Sequence, residues 1–284
     1  MAMSRRSKIY QVDKYHEWRW QKLVAPLVDK DGADRMLLDM GCNAGWYMRK
    51  AQKLGYKTLG VEYDQDYIDQ APEGLEIIKA DVNWYQPHCA YLTLLLCVHY
   101  HQTPEQVEAL FHNLTYSTAY LIVMGRNNVN GRVVSNPKVD HLLKVLGGWD
   151  VIDQRGERAF YTVLLKNRRY QELDVEELFQ ATRAFTLTVK GFDDFVPAFQ
   201  DFVRRTLTDF HWDASESQFM DYLKRRRFPY KLGRCWLYKK MIKELQEHGP
   251  HTALKVKGNR IEDGYHRLVV LRELGVKRVV CRVR

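Results

Sequence analysis

Residues 36–64, MLLDMGCNAGWYMRKAQKLGYKTLGVEYD, constrain the fold more than any other stretch of the chain. A short apolar run (Met36, Leu37, Leu38) bends through Asp39-Met40-Gly41-Cys42-Asn43-Ala44-Gly45 and continues in a helical pattern. A second short run, Thr58-Leu59-Gly60-Val61, ends on Glu62. This is strand, glycine turn, helix, strand: one βαβ unit with an acid closing its second strand. Glycines let the turn approach a ligand without a Cβ in the way, and the amides of the next helix face that ligand. A carboxylate about 20 residues beyond such a turn stands where it accepts bonds from ribose hydroxyls.

The spacing separates two classes of nucleoside ligand. A dinucleotide site uses Gly-x-Gly-x-x-Gly, whereas here Gly41 and Gly45 have three residues between them and position 43 is Asn. The Asp-x-Gly-x-x-x-Gly form from Asp39 to Gly45 resembles motif I of the class I S-adenosylmethionine (SAM) methyltransferases. The resemblance implies SAM as cofactor, with Asp39 and the Gly41-Cys42-Asn43-x-Gly45 turn at its methionine end. It puts Glu62, with adjoining Tyr63, at the ribose. In that family an acid after the third strand caps the adenine amino group, and Asp81, followed by Val82, resembles that position. An Asp at a strand end also serves as an ordinary turn cap.

The remaining elements follow the same alternation. Residues 10–29 read as an amphipathic helix whose Tyr10, Tyr15, Trp18 and Trp20 either line the cleft or pack in the core. Strands are expected at Leu75–Ala80, Ala90–Val98 and Ala119–Met124. The run AYLTLLLCV has the continuous apolar character of a central parallel strand. It ends in His99-Tyr100-His101-Gln102, and Thr103-Pro104-Glu105-Gln106 then starts a helix. Open α/β sheets bind ligands at the carboxyl ends of their strands, where this histidine pair falls. A neutral imidazole there can take the proton of an alcohol that attacks a methyl group, so His99 and His101 are the candidate catalytic residues. The alternative is that they cap or pack. The Asn/Asp-Pro-Pro-Tyr/Phe motif of DNA amino-methylases is absent from this position. A polar loop at 125–136 offers Arg126 and Arg132 to an anionic acceptor, and Lys138–Leu146 reads as a helix. Trp149–Gln154 and Ala159–Lys166 read as an antiparallel pair turning at 155–158. Parallel strands finished by a reversed hairpin resemble class I methyltransferase topology: a doubly wound, Rossmann-like α/β sheet over roughly 30–167.

The formal net charge is +9 and the pI about 9.2, which favours a polyanionic partner. Much of the excess lies beyond residue 165, in Lys166-Asn167-Arg168-Arg169, Arg204-Arg205, the 224–227 cluster and the Lys277–Arg284 tail. The five cysteines form no Cys-x-x-Cys pair, so neither a metal site nor a disulfide framework is expected, and a cytoplasmic setting is. No apolar run reaches the roughly 18 residues of a membrane span, and residues 1–18 lack the apolar segment of a secretory signal.

The second domain, 168–284, reads differently. It is helical over most of 168–247, including Val175–Phe185, Phe192–Asp209 and Ser215–Arg226, with a break at Phe228-Pro229-Tyr230. A strand at Thr252–Val256, a turn at Lys257-Gly258-Asn259, the helix Leu268–Leu274 and the strand Lys277–Val283 follow. The segment RIEDGYHRLVVLRELGVKRVVCRVR resembles the Asp-Gly-His-His-Arg box and closing helix–strand of the ParB/sulfiredoxin-like fold. That resemblance implies a phosphate or nucleotide at Asp263, Gly264, His266 and Arg267, and some members of the fold phosphorylate small molecules. Tyr265 stands where the box has His.

Together these readings lead to a SAM-dependent enzyme that O-methylates a phosphorylated small molecule, glycan or RNA. The competing expectation is a nucleic-acid-binding protein, or an RNA methyltransferase, whose basic C-terminal half holds the polyanion.

Overall fold

In the computed structural model the described residues are 14–87, 89–99, 102–126, 128–129, 132–133, 147–157, 160–186, 194–226, 231–249 and 253–284. The chain divides into two compact units, Met1–Arg169 and Tyr170–Arg284. His101, the helix expected at Lys138–Leu146 and the break at 228–230 lie outside the described residues.

The first unit is built on a seven-stranded sheet of order β3-β2-β1-β4-β5-β9-β8. Its parallel strands are β1 (Met36–Met40), β2 (Lys57–Glu62), β3 (Ile77–Lys79), β4 (Ala90–Leu96) and β5 (Thr118–Arg126). A two-stranded ribbon follows, β6 (Asn128–Val129) with β7 (Arg132–Val133). The hairpin β8 (Trp149–Glu157) and β9 (Phe160–Asn167) then closes the sheet, β9 antiparallel to β5. The strand order reverses between β1 and β4, the point at which such sheets open a crevice for ligands. Parallel strands finished by a reversed hairpin are what the class I methyltransferase resemblance implies.

Local chemistry explains the elements. β4 is buried along its length except at Tyr91, and its Thr93 is satisfied by a 2.8 Å hydroxyl contact with Thr118 on β5. The Asn167 amide donates to the carbonyls of Thr115 and Thr118 at 2.9 Å, pinning the end of β9 to the start of β5. The helix Pro104–Thr115 carries a full capping box: Thr103 Oγ1 accepts from the Gln106 amide, and Gln106 Oε1 accepts from that of Thr103.

Three expectations change. Arg126 ends a strand rather than sitting in a loop, because β5 runs on to pair Arg126 with Phe160. The hairpin turn is tighter than residues 155–158, since β8 continues to Glu157 opposite Phe160. Over the described part of 10–29, residues 14–19 are helical and pass into a π-helical turn, Trp20–Val24.

The second unit has a four-stranded sheet of order β10-β13-β11-β12: β10 (Tyr170–Asp174), β11 (Leu254–Lys257), β12 (Arg260–Asp263) and β13 (Arg278–Val283). β10 and β12 run antiparallel to their neighbours, while β11 and β13 are parallel. Helices span Val175–Thr186, Phe195–Thr208, Gln218–Arg225, Lys231–His248 and Tyr265–Glu273. Phe179, Phe199, Phe202 and Phe219 are buried with Leu254, Val256 and Leu268–Leu271 in one core. β10 falls where the sequence predicts helix. Its sequence, YQELD, has no β-branched residue, and pairing with the apolar closing strand overrides its weak propensity.

Candidate cofactor and acceptor site

The glycine turn is latched to β2 through its backbone. The amides of Gly41 and Cys42 donate to the Val61 carbonyl at 2.8 and 3.0 Å. The Asn43 amide donates to Glu62 Oε2 at 2.8 Å, and Glu62 Oε1 accepts from Tyr63 and Asp64 at 2.8 and 2.9 Å. Gly41 has φ +78°, and a Cβ added there would lie 2.6 Å from Val98 Cγ2. Val98 follows β4, so the end of β4 closes against the turn that follows β1. Gly45 caps the helix Trp46–Gln52. Cys42 is buried, its sulfur 2.6 Å from where a Gly60 Cβ would stand, and burial pushes the thiol pKa up.

Asp39, at 1 % exposure, has an Oδ2 with no hydrogen-bond partner among the described residues. Burial, and then the charge of Glu62, pushes its pKa up to about 7. Around the same strand ends lie other buried polar atoms without partners among the described residues: His16 Nδ1, Arg19 Nε and Tyr47 Oη. Arg19 stacks over Tyr15 at 4.6 Å and points a guanidinium nitrogen at Cys97 Sγ, 3.6 Å away. His16 packs on Trp46 and Tyr47, and burial, then Arg19, lowers its pKa to about 4. Of the aromatics anticipated in this helix, Trp20 packs in the core with Tyr47.

The other anticipated residues stand as follows. Tyr63 is exposed and Val82 is buried in the core. Asp81 caps its own turn, accepting from both the backbone and side-chain nitrogens of Asn83 at 2.9 and 2.8 Å. Arg126 lies with its guanidinium 4.9 Å from the Phe160 ring. Arg132 is in the β6–β7 ribbon, and its side chain is outside the described residues.

His99 is fully buried, its Nε2 3.0 Å from the phenol oxygen of Tyr161 on β9. Gly125 makes this bond possible: it pairs with Tyr161, and a Cβ there would lie 2.3 Å from that oxygen. Sequence reasoning missed Tyr161 because the β5–β9 register that opposes it to Gly125 has no local signature. Arg19, His16 and Tyr47 were missed for the same reason, though Tyr15 and Arg19 already share a helical face by their spacing of four.

In the second unit, Gly264 caps the helix Tyr265–Glu273 with φ +100°. Asp263 forms ion pairs with Lys255 at 3.7 Å and Arg267 at 3.9 Å. His266 turns into the helical layer: Nε2 bonds the Tyr238 hydroxyl at 3.1 Å, and the ring meets Phe195 and Phe199 edge-on. Burial, then Arg234, lowers its pKa to about 4. Beside the β11–β12 hairpin an open groove of about 570 Å³ is lined by Lys255, Lys257, Arg260 and Arg284 with Ile261, Glu262 and Asp263. Among the described residues no helix is long and apolar enough to cross a membrane.

No family model and no curated protein matches the chain. Solved structures match about half of it. The PH0226 protein of Pyrococcus horikoshii aligns at 14% identity, covering 54% of this chain and 91% of its own, with a TM-score of 0.46. A SAM-dependent methyltransferase from Archaeoglobus fulgidus aligns at 15% identity, over 54% and 94%, with a TM-score of 0.43. The magnesium protoporphyrin IX methyltransferase of Synechocystis, solved with bound SAM, aligns at 18% identity, over 53% and 77%, with a TM-score of 0.44.

Proposed function

We propose that the first unit is a SAM-dependent methyltransferase acting on a hydroxyl acceptor, and that the second unit binds a phosphate or nucleotide. The observation that carries the reading is Asp39: a buried carboxyl with an unpartnered oxygen, at the switch point of a parallel sheet, one strand from Glu62. Such an atom demands a ligand donor, and the methionine ammonium of SAM is one. Gly41 lets the turn approach Val98 closely, since a Cβ there would lie 2.6 Å from Val98 Cγ2. SAM, when bound, supplies an electrophilic methyl group on a positively charged sulfur.

The chain's own residues supply position and proton handling. Asp39 and the Gly41–Gly45 turn hold the methionine end, Glu62 the ribose and Asp81 the adenine edge. In-line positioning contributes most of the rate of a displacement of this kind. The acceptor is a phosphorylated small molecule, glycan or RNA whose charge Arg126 and Arg132 meet, while Gly264 and Arg267 bind a phosphate at the second unit. Calorimetric titration with S-adenosylhomocysteine tests the reading: micromolar binding that is lost in Asp39→Asn supports it, and no heat with the wild-type chain rejects it.

The second reading is a nucleic-acid-binding protein, favoured by one observation, the groove with four cations against two carboxylates. Salt-dependent RNA binding without methyl incorporation would decide for it.

A further inference from the structure

The fully enclosed position of His99 creates a difficulty for its role as base. An imidazole with no exposed surface does not meet an acceptor hydroxyl, and its Nε2 is already engaged by Tyr161. Tyr161 is less deeply buried than His99. Its phenol lies over Gly125, at the carboxyl ends of β4 and β5. Val98, next to His99, touches the glycine turn of the cofactor site. The phenol thus joins the buried imidazole to the carboxyl end of β5.

We infer that Tyr161 is the catalytic residue that meets the acceptor hydroxyl, and that His99 is a positioning residue that receives the proton through it. This rests on the methyltransferase reading above. In the step, an oxygen lone pair of the acceptor forms the new bond to the methyl carbon. The carbon–sulfur bond breaks and its electron pair stays on sulfur, leaving a neutral thioether. The acceptor proton passes to the Tyr161 oxygen as the Tyr161 proton passes to His99 Nε2, and after product leaves the imidazolium returns its proton to solvent through the Tyr161 hydroxyl. Tyr161 never becomes a phenolate, in keeping with burial and the neighbouring Cys97 pushing its pKa up to about 12. General acid–base assistance of this kind contributes about 10²- to 10⁴-fold.

Gly125 is a requirement of the arrangement, because any side chain there displaces the phenol. The relay requires one tautomer: Tyr161 donates to Nε2, which puts the imidazole proton on Nδ1.

The test compares wild type, Tyr161→Phe and Gly125→Ala with two alcohol probes at equal SAM, trifluoroethanol and p-nitrophenol, the latter already ionised and in no need of a base. Thermal melts establish that the variants fold, and S-adenosylhomocysteine titration establishes that they hold cofactor. The expected result is a loss at least tenfold greater with trifluoroethanol than with p-nitrophenolate in both variants. Equal losses with both probes, or no loss, overturn the relay. In parallel, ¹⁵N spectra of the histidines expect an unprotonated His99 Nε2 that shifts in Tyr161→Phe; a protonated Nε2 overturns the relay even where neither probe is methylated. Absence of cofactor binding by the wild-type chain would instead take down the methyltransferase reading beneath it.

Discussion

Asp39 and Glu62 stand at the carboxyl ends of adjacent parallel strands and manage their charge in opposite ways. Glu62 accepts three backbone amides, from Asn43, Tyr63 and Asp64. Asp39 has an unpartnered Oδ2, and burial, then the charge of Glu62, raises its pKa to about 7. One acid is satisfied by backbone donors, while the other is poised to ionise when a cation arrives.

That contrast predicts proton release on binding. Near pH 6 Asp39 is mostly protonated, and a cationic amine at Oδ2 favours the carboxylate. Binding of S-adenosylhomocysteine should release up to one proton, read by calorimetry in two buffers of different ionisation enthalpy. Asp39→Asn should release none and bind at least tenfold more weakly. The sign for stability follows from the same shift. The native pKa lies above the unfolded one, 3.8, so the native state keeps a proton that the unfolded chain has lost. Stability therefore falls as pH rises from about 4 to 7, and Asp39→Asn should flatten that fall.

Gly41→Ala tests the turn itself. At φ +78° an alanine is strained by roughly 1–2 kcal/mol, and its Cβ would press on a Val98 methyl that has little freedom to move. Lower thermal stability together with loss of S-adenosylhomocysteine binding is expected. Unchanged binding would mean that the turn does not face the ligand.

Much of the first unit was legible in the sequence because each signal was local. The acid–glycine turn, the continuous apolar run of β4 and the Thr103–Gln106 capping box need no partner to be recognised. What escaped depends on register. Tyr161 becomes notable only once β9 is paired with β5, which sets it against Gly125 and His99. β10 is a strand because β13 accepts it. His266 follows a glycine, as a phosphate-binding box requires, yet the aromatic layer formed by Phe195, Phe199 and Tyr238 claims its ring.

His266→Phe follows from that packing. Phenylalanine keeps the ring contacts but leaves the Tyr238 hydroxyl without its nitrogen partner, a cost of about 1 kcal/mol at pH 7.5. The histidine's native pKa, about 4, lies below its ordinary 6.5, so its neutral form stabilises fully above 6.5 and that stability is lost as pH falls towards 4. Phenylalanine has nothing to protonate. The deficit of His266→Phe measured by urea denaturation should therefore shrink, or reverse, between pH 7.5 and pH 5. A constant deficit across that range would show that His266 is not buried in neutral form.

The groove beside the β11–β12 hairpin separates the two readings of the second unit. Lys257 and Arg260 flank the turn at Gly258-Asn259, and among the described residues Lys257 has no ion pair like that of Lys255 with Asp263. If phosphates bind there, each lost contact should make the dependence of log K on log salt shallower by about 0.7 for a single strand. Lys257→Glu combined with Arg260→Glu should thus weaken binding to a generic single-stranded RNA at least tenfold at 0.1 M salt and reduce the slope by roughly 1.4. S-adenosylhomocysteine affinity should stay the same, since no cofactor group is assigned to this hairpin. An unaltered slope would remove RNA from this groove and leave the anionic acceptor to the arginines at the strand ends of the first unit.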